Sequence, residues 1–159
     1  MIDSFKNAFQ DVPDAELRIY GTGSQQEHLQ SYIDSLKLSD KVHLMGRSNN
    51  MSQVFENTDL FVLSSDFEGM PNALMEAMAS GLPCISTDCP TGPSDLIING
   101  KNGILVPVND KEAMSSAMKA LYYDEALSLS MGEEARIHVR NICSADVISD
   151  KFIEICESV

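Results

Sequence analysis

The chain has 159 residues, of which 43% are apolar, and its 11 basic and 24 acidic side chains give a net charge of −13. This composition is typical of a folded globular domain, and the negative charge argues against nucleic acid or an anionic membrane as a partner of this segment. The sequence has neither the roughly 20-residue apolar run that spans a bilayer nor a signal pattern at its N-terminus. We therefore expect a cytoplasmic protein, which contacts the inner face of a membrane, if at all, through parts outside this sequence.

Short apolar segments alternate with helical patterns along the chain, and this alternation is typical of an α/β fold with a parallel sheet. The chain begins with a helical stripe formed by Ile2, Phe5, Phe9 and Val12, and no strand precedes it. Because a helix that covers a parallel sheet normally follows a strand, we expect the sheet to lack its first strand. The alternative is that the helix is a natural N-terminal extension. Strands are predicted at 17–20, 42–45, 60–63, 84–86 and, more weakly, 103–106.

Helical spacing recurs at three further places, each with a capping residue in front of it. Ser24 and Glu27 match a capping box before an apolar face that continues to Leu36. The other two helices are predicted after Asp110 and after Ser144. Most of the strands are apolar on both faces, so we predict a single domain over residues 1–159, a Rossmann-like parallel sheet with helices on both faces.

The cysteines and histidines stand at spacings that fit no zinc-binding pattern. We therefore predict no metal site, and we expect the cysteines to be buried, reduced thiols of a cytoplasmic protein.

The first candidate site is the turn Gly21-Thr22-Gly23 at the end of the 17–20 strand. Glycines at such a turn let the backbone approach a phosphate at the N-terminus of the next helix. A dinucleotide site would also need a small residue where Gln26 stands, and an acidic residue at the end of the next strand, which instead ends in Gly46-Arg47. This excludes NAD and leaves two interpretations, a phosphate contact or a tight turn without a ligand.

The second candidate site follows the 60–63 strand. The loop 66–70 leads to Pro71, which suits the first position of a helix, and Gly81 ends that helix. The helix is apolar nearly all round, so we expect it to be buried.

Two glutamates belong to this second site. Glu76 lies in the middle of the helix, where a buried carboxylate needs a partner, either a sugar diol or an internal Lys or Arg. Glu68 lies at the N-terminus of the helix, where free amides and the positive end of the helix dipole can hold an anion. The two glutamates would then contact one ligand at two depths. In the alternative interpretation they are unrelated, and Glu68 is a plain helix cap.

With seven residues between Glu68 and Glu76, the segment 64–83 resembles the signature of retaining family-4 glycosyltransferases. These enzymes have two Rossmann-like domains facing a cleft, the GT-B fold, and the signature belongs to the C-terminal, donor-binding domain. The resemblance covers most of the chain up to about Asp124, because it continues at 21–23, 44–47, 89–95 and 102–107.

The resemblance implies a role for each matching residue. Glu68 would be catalytic and contact the donor sugar near its reacting face, whereas Glu76 would bind the ribose hydroxyls. The backbone around Gly46 and Arg47 would meet the nucleobase. Enzymes of this family usually need no metal, so no cofactor is expected beside the substrate. The remaining donor-binding positions are backbone groups at Gly21, Gly23, Gly69, Met70, Asn72, Ala73 and Leu74.

The resemblance also implies parts that this sequence does not contain. These are the acceptor-binding N-terminal domain and, after the first strand of the donor-binding domain, a loop with an Arg and a Lys that hold the diphosphate. A minor departure is Asp95, which stands where relatives commonly carry Glu.

We therefore predict the donor-binding domain, and C-terminal half, of a retaining hexosyltransferase or N-acetylhexosaminyltransferase. It would transfer a sugar from a nucleotide sugar, expected to be UDP-linked, to a glycan or lipid-linked acceptor in the synthesis of cell-surface polysaccharide or glycoconjugate. The isolated chain is expected to be inactive. Two alternatives remain at this point, a sugar-nucleotide epimerase of the same architecture and a non-catalytic remnant that only binds nucleotide sugar.

Overall fold

The computed structural model describes residues 1–157, and every predicted strand is present with each end within one residue of its expected position. The strands are β1 (Leu17–Tyr20), β2 (Val42–Gly46), β3 (Phe61–Leu63), β4 (Cys84–Thr87) and β5 (Ile104–Val106). The helices are α1 (Ile2–Phe9), α2 (Gln26–Ser35), α3 (Met51–Glu56), α4 (Asn72–Ala79), α5 (Pro93–Leu96), α6 (Lys111–Tyr123), α7 (Glu125–Cys143) and α8 (Ala145–Glu157).

All strand pairs are parallel, as predicted, but the strands form two sheets, β1–β2 and β3–β4–β5. Side chains of both sheets, among them Ile19 and Val62, pack in one apolar core with Phe5 of α1, Ile33 of α2 and Met118 of α6. Both sheets therefore lie in one layer beneath these helices. The strands therefore follow the order β2-β1, a break, and β3-β4-β5. A doubly wound sheet has the order 3-2-1-4-5-6, and removing its strand 1 leaves this same arrangement with the break in the middle.

A cleft of about 530 Å³ lies beside β1 at this break, and we call it the inter-sheet cleft. It is lined by Arg18 and Tyr20 of β1, by side chains of α3 and by Asp59, which precedes β3. The Arg18 guanidinium crosses the cleft and donates to the carbonyl of Asn57 at 3.0 Å. Within residues 1–157, β1 and β3 are not paired with each other, so each of them has an edge without a neighbouring strand.

The opposite face of the layer is covered by α3, α4, α5 and α7, which build a second apolar core. Only β4 is buried along its whole length, whereas β1 and β3 are at most half-buried. The expectation that most strands are covered on both faces is therefore wrong for β1 and β3, because the break in the layer leaves their facing edges open. No helix among residues 1–157 is long and apolar enough to cross a bilayer.

Two of the three predicted helix caps are confirmed. Asp110 caps α6 by accepting from the amide of Ala113 at 2.8 Å, and the Ser144 hydroxyl accepts from the third residue of the α8 segment at 3.4 Å. The capping box at Ser24 and Glu27 is wrong, because α2 begins at Gln26 and no side chain caps it. The long helix α7 was not predicted, since its buried positions include the small residues Gly132 and Ala135 and give a weak apolar stripe.

The four cysteines are free thiols, and they differ in burial. Cys84 and Cys89 are buried, as predicted, whereas Cys143 is only partly buried and Cys156 is exposed. Desolvation raises the pKa of the Cys84 thiol far above its usual value, which keeps this thiol protonated and unreactive.

Candidate functional site

The glycine turn after β1 lies against the end of β2. The Gly21 amide donates to the carbonyl of Gly46 at 2.7 Å, and Arg47 Nε donates to the Thr22 hydroxyl at 3.1 Å. Gly21 and Gly46 both have positive φ, 136° and 68°, which glycine adopts without strain. The structure thus brings together four of the predicted positions, Gly21, Gly23, Gly46 and Arg47. Beneath them is a mainly apolar cavity of about 240 Å³ between the end of β1 and α2.

The loop between β3 and α4 carries Glu68, whose side chain is half-buried. Its Oε1 accepts a hydrogen bond from the Ser65 hydroxyl at 2.6 Å, and its backbone carbonyl accepts one from the Thr91 hydroxyl. Three residues earlier in the loop, the backbone carbonyl of Ser65 accepts a hydrogen bond from the Thr87 hydroxyl at 2.6 Å. The loop that holds Glu68 is therefore fixed by its own Ser65 and by residues at and after the end of β4.

Helix α4 begins one residue later than predicted, because Pro71 is its N-cap and not its first residue. The proline cannot cap the helix with its side chain, and among residues 1–157 no acceptor is found for the amides of Ala73 and Leu74. Unpaired amides at a helix N-terminus attract anions, and the helix dipole adds to this attraction. The N-terminus of α4 thus has unpaired amides, as predicted, and Gly69, Met70 and Asn72 are exposed around it.

The environment of Glu76 differs from the prediction. Glu76 is exposed, together with Asn72, Ala73 and Ala79 on the same side of α4, whereas Leu74, Ala77 and Met78 are buried in the core. The expectation of a buried carboxylate is wrong, because α7 covers only one side of the helix and leaves the other open to solvent. Glu76 therefore needs no internal Lys or Arg, and its carboxylate is accessible to a ligand beside the N-terminus of α4.

The predicted positions form two groups, one at the ends of β1 and β2 and one at the end of β3. Both groups lie at carboxyl ends of parallel strands, where α/β sheets bind ligands. Within residues 1–157 no hydrogen bond joins the two groups directly. The contacts of Ser65, Thr87 and Thr91 were not predicted, although the family resemblance includes the segment 89–95.

Gly92 shows how closely the segment after β4 approaches the Glu68 loop. Its φ of 93° and ψ of −64° are accessible to glycine almost alone, and a Cβ placed on it would lie 2.6 Å from Pro71 Cδ and 2.7 Å from the Gly69 carbonyl oxygen. We expect Gly92→Ala to lower the free energy of unfolding by about 2–4 kcal/mol through backbone strain and this clash. Chemical denaturation followed by circular dichroism measures the loss.

Gly100→Ala is the matched control, because Gly100 also has a positive φ of 77° but no atom within 4 Å of its added Cβ. We expect this substitution to lower the free energy of unfolding by about 1–2 kcal/mol, which is the cost of placing alanine at a positive φ. Equal losses in the two variants would show that close packing of Gly92 against the Gly69–Pro71 turn contributes nothing.

Known proteins resemble this chain in both sequence and structure. The sequence profile of the family described as glycosyl transferases group 1 matches residues 1–138. An exopolysaccharide phosphotransferase of Streptomyces coelicolor is 39% identical over 155 residues, which are 97% of this chain and 16% of the relative. A UDP-Gal:alpha-D-GlcNAc-diphosphoundecaprenol alpha-1,3-galactosyltransferase of Escherichia coli is 30% identical over 148 residues, 90% of this chain and 38% of the relative.

Among solved structures, TarM of S. aureus in complex with fondaparinux, alpha-GlcNAc-glycerol and UDP matches with a TM-score of 0.90. The two chains are 27% identical, and the match covers 96% of this chain and 31% of TarM. The chain thus spans well under half the length of each of these relatives. From the profile match, the shared fold and the strand–loop–helix site at Glu68, we conclude that the chain belongs to the group 1 glycosyl transferases, as a GT-B domain of the donor-binding type.

Proposed function

We propose that this chain binds the donor of a retaining glycosyltransferase, a nucleotide sugar with a UDP leaving group. The observation that carries the proposal is the N-terminus of α4, where the amides of Ala73 and Leu74 are unpaired, with Glu68 before them and Glu76 after them in the chain. A nucleotide sugar offers groups that suit each of these, namely phosphate oxygens for the amides and hydroxyls for the carboxylates.

Glu68 has one carboxylate oxygen engaged and one available. Oε1 accepts from Ser65, whereas Oε2 has no donor within residues 1–157. Oε2 can therefore accept a hydroxyl of the donor sugar while Ser65 fixes the orientation of the carboxylate. We propose that Glu68 meets the sugar at its reacting face and that the exposed Glu76 accepts hydrogen bonds from the ribose diol.

The leaving diphosphate would be stabilised by the α4 amides and the helix dipole, so the proposed reaction needs no metal ion. Among residues 1–157, no group of three or more His, Cys, Asp or Glu side chains is arranged to hold a metal ion, and the proposal itself rests on the α4 amides. The backbone at Gly46 and Arg47 and the turn Gly21–Gly23 would then receive the nucleoside.

The relatives support the choice of donor and acceptor. TarM was crystallised with UDP and alpha-GlcNAc-glycerol, and the name of the E. coli relative gives a UDP-hexose donor and a diphosphoundecaprenol-linked acceptor. We propose that the present protein transfers a hexose or N-acetylhexosamine to a glycan or a lipid-linked acceptor in the synthesis of cell-surface polysaccharide or glycoconjugate.

We further propose that activity requires protein outside this sequence. One part is a strand that fills the inter-sheet cleft and is followed by a basic loop, and the other is an acceptor-binding domain. The order of the strands supports the first, and the share of each relative that the chain spans, between 16% and 38%, supports the second.

The test of the donor site is Glu76→Ala. Loss of charged hydrogen bonds to the ribose should weaken UDP and UDP-sugar binding alike, by about 1.5–3 kcal/mol. Because Glu76 is exposed, the fold should be unaffected, which a thermal melt verifies. Titration by NMR is the appropriate measurement for weak binding. Equal UDP affinity in the variant and the parent would exclude the ribose role.

Glu68→Gln is the contrasting variant, since Glu68 is proposed to meet the sugar and not the nucleotide. UDP should bind it nearly as well as the parent, and turnover of the full-length enzyme should fall. A non-catalytic remnant would show nucleotide binding without transfer even at full length, and an epimerase would change the nucleotide sugar without an acceptor.

A further inference from the structure

Thr91 has a backbone conformation that its side chain disfavours. Its φ is 61°, in the left-handed region, and among residues 1–157 the other non-glycine residues there are Lys37 and Asn109. Asparagine tolerates this region, and an unbranched lysine tolerates it better than threonine, whose branched Cβ makes it an outlier. The conformation therefore costs free energy that something at this position must offset.

The contact that accompanies the conformation is the hydrogen bond from the Thr91 hydroxyl to the backbone carbonyl of Glu68. These residues are 23 positions apart, in the loops after β3 and after β4. Thr91 is exposed, so its side chain contributes no burial that would explain the strained backbone. The hydroxyl contact is its one hydrogen bond to another loop within the described residues.

The neighbouring contacts lead to the same loop. Gly92 packs against the carbonyl of Gly69 and the ring of Pro71, and Thr87 holds the carbonyl of Ser65. The segment from Thr87 to Gly92 thus contacts the Glu68 loop before, at and after Glu68. Of these contacts, the Thr91 hydrogen bond acts on the peptide unit between Glu68 and Gly69, which leads directly to the N-terminus of α4.

We propose that Thr91 is a positioning residue: its hydroxyl fixes the Glu68–Gly69 peptide, and so sets the Glu68 carboxylate and the α4 amides in the arrangement that receives the donor. Preorganised donors and acceptors bind more tightly than mobile ones, because no ordering cost is added on binding. The part of this inference that concerns the donor rests on the proposed function, whereas the ordering of the loop does not.

The test uses three variants of the 159-residue chain and one control. Thr91→Ser keeps the hydroxyl, Thr91→Val keeps the branched side chain without it, and Thr91→Gly removes both the hydroxyl and the strain. Lys37→Gly is the control, because Lys37 also has a positive φ, 59°, but lies in the turn after α2. Each protein is measured by backbone ¹⁵N NMR order parameters at residues 68–70, by thermal unfolding and by NMR titration with UDP.

We expect Thr91→Val and Thr91→Gly to lower the order parameters of residues 68–70 and to bind UDP about fivefold to tenfold more weakly, while Thr91→Ser stays close to the parent. The two weak binders should differ in stability, with Thr91→Gly unfolding several degrees above Thr91→Val because glycine accepts positive φ. Lys37→Gly should leave the order parameters of residues 68–70 and the UDP affinity unchanged.

A purely structural role would make UDP affinity follow stability, with Thr91→Gly binding clearly better than Thr91→Val, and this result would overturn the proposal. Unchanged order parameters at residues 68–70 in both variants would also overturn it. If the parent chain binds no UDP, the proposed function fails on that evidence, and the order parameters still decide whether Thr91 orders the loop.

Discussion

Gly132→Ala should lower the free energy of unfolding by about 3 kcal/mol or more, the largest stability effect expected from one added methyl group in this chain. A Cβ on Gly132 would lie 2.1 Å from the carbonyl oxygen of Gly81 and 3.1 Å from its carbonyl carbon. Both are backbone atoms of the turn that ends α4, so no side chain can rotate away. The methyl group must instead push α7 away from α4, and these two helices share the apolar core with Leu74 and Ala135.

The sign of this effect is informative, because glycine to alanine inside a helix normally stabilises by about 0.5–1 kcal/mol. Ser130→Ala, at an exposed position of the same helix, provides the matched control and should leave stability unchanged or slightly raised. Urea denaturation followed by circular dichroism measures both. A Gly132→Ala protein as stable as the parent would mean that α7 does not contact the Gly81 turn in solution.

Much of the fold could be predicted because its signals are local. Each strand is a short apolar run bounded by glycine or polar residues, and the alternation with helical spacing already indicates parallel pairing. The strand, loop and helix around Glu68 could be predicted in the same way, although the role of Glu68 stays a prediction. The position of such a site at the carboxyl end of a strand follows from the α/β architecture itself.

The features that were missed or wrong depend on contacts between distant segments. Whether a helix of Ala and Met residues is covered on one side or all round depends on what packs on it, so the exposure of Glu76 could not be read from α4. The Thr91 hydrogen bond joins loops 23 residues apart. The close approach of Gly132 and Gly81 leaves no pattern in the sequence, since a glycine can mark a turn, a flexible site or a tight contact.

The second large effect is expected from completing the sheet. The chain alone should bind UDP weakly, because its net charge of −13 opposes a diphosphate, and binding should tighten as salt rises modestly. It should show no measurable sugar transfer, since transfer needs an acceptor held in line with the donor carbon. An N-terminal extension with an apolar strand and a loop carrying an Arg and a Lys should tighten UDP binding by about 1.5–3 kcal/mol for each charged hydrogen bond formed.

Hydrogen exchange and UDP affinity distinguish the effect of the added strand from the effect of its basic loop. In a parallel strand the amides point alternately to either side, and Leu17 and Gly21 donate toward β2 while Phe61 donates toward β4. The amides of Arg18, Tyr20 and Val62 therefore point away from these partners, and hydrogen exchange at them should slow markedly once a strand fills the inter-sheet cleft.

An extension in which the Arg and the Lys are replaced by Ala is the matched control. It should protect the same three amides and raise stability equally, because pairing at both edges uses the backbone, but it should not gain UDP affinity. If neither extension slows exchange at these amides, the inter-sheet cleft is not a strand site. Sugar transfer by the purified 159-residue chain would contradict the proposal more directly, because the catalytic apparatus would then be complete without any added segment.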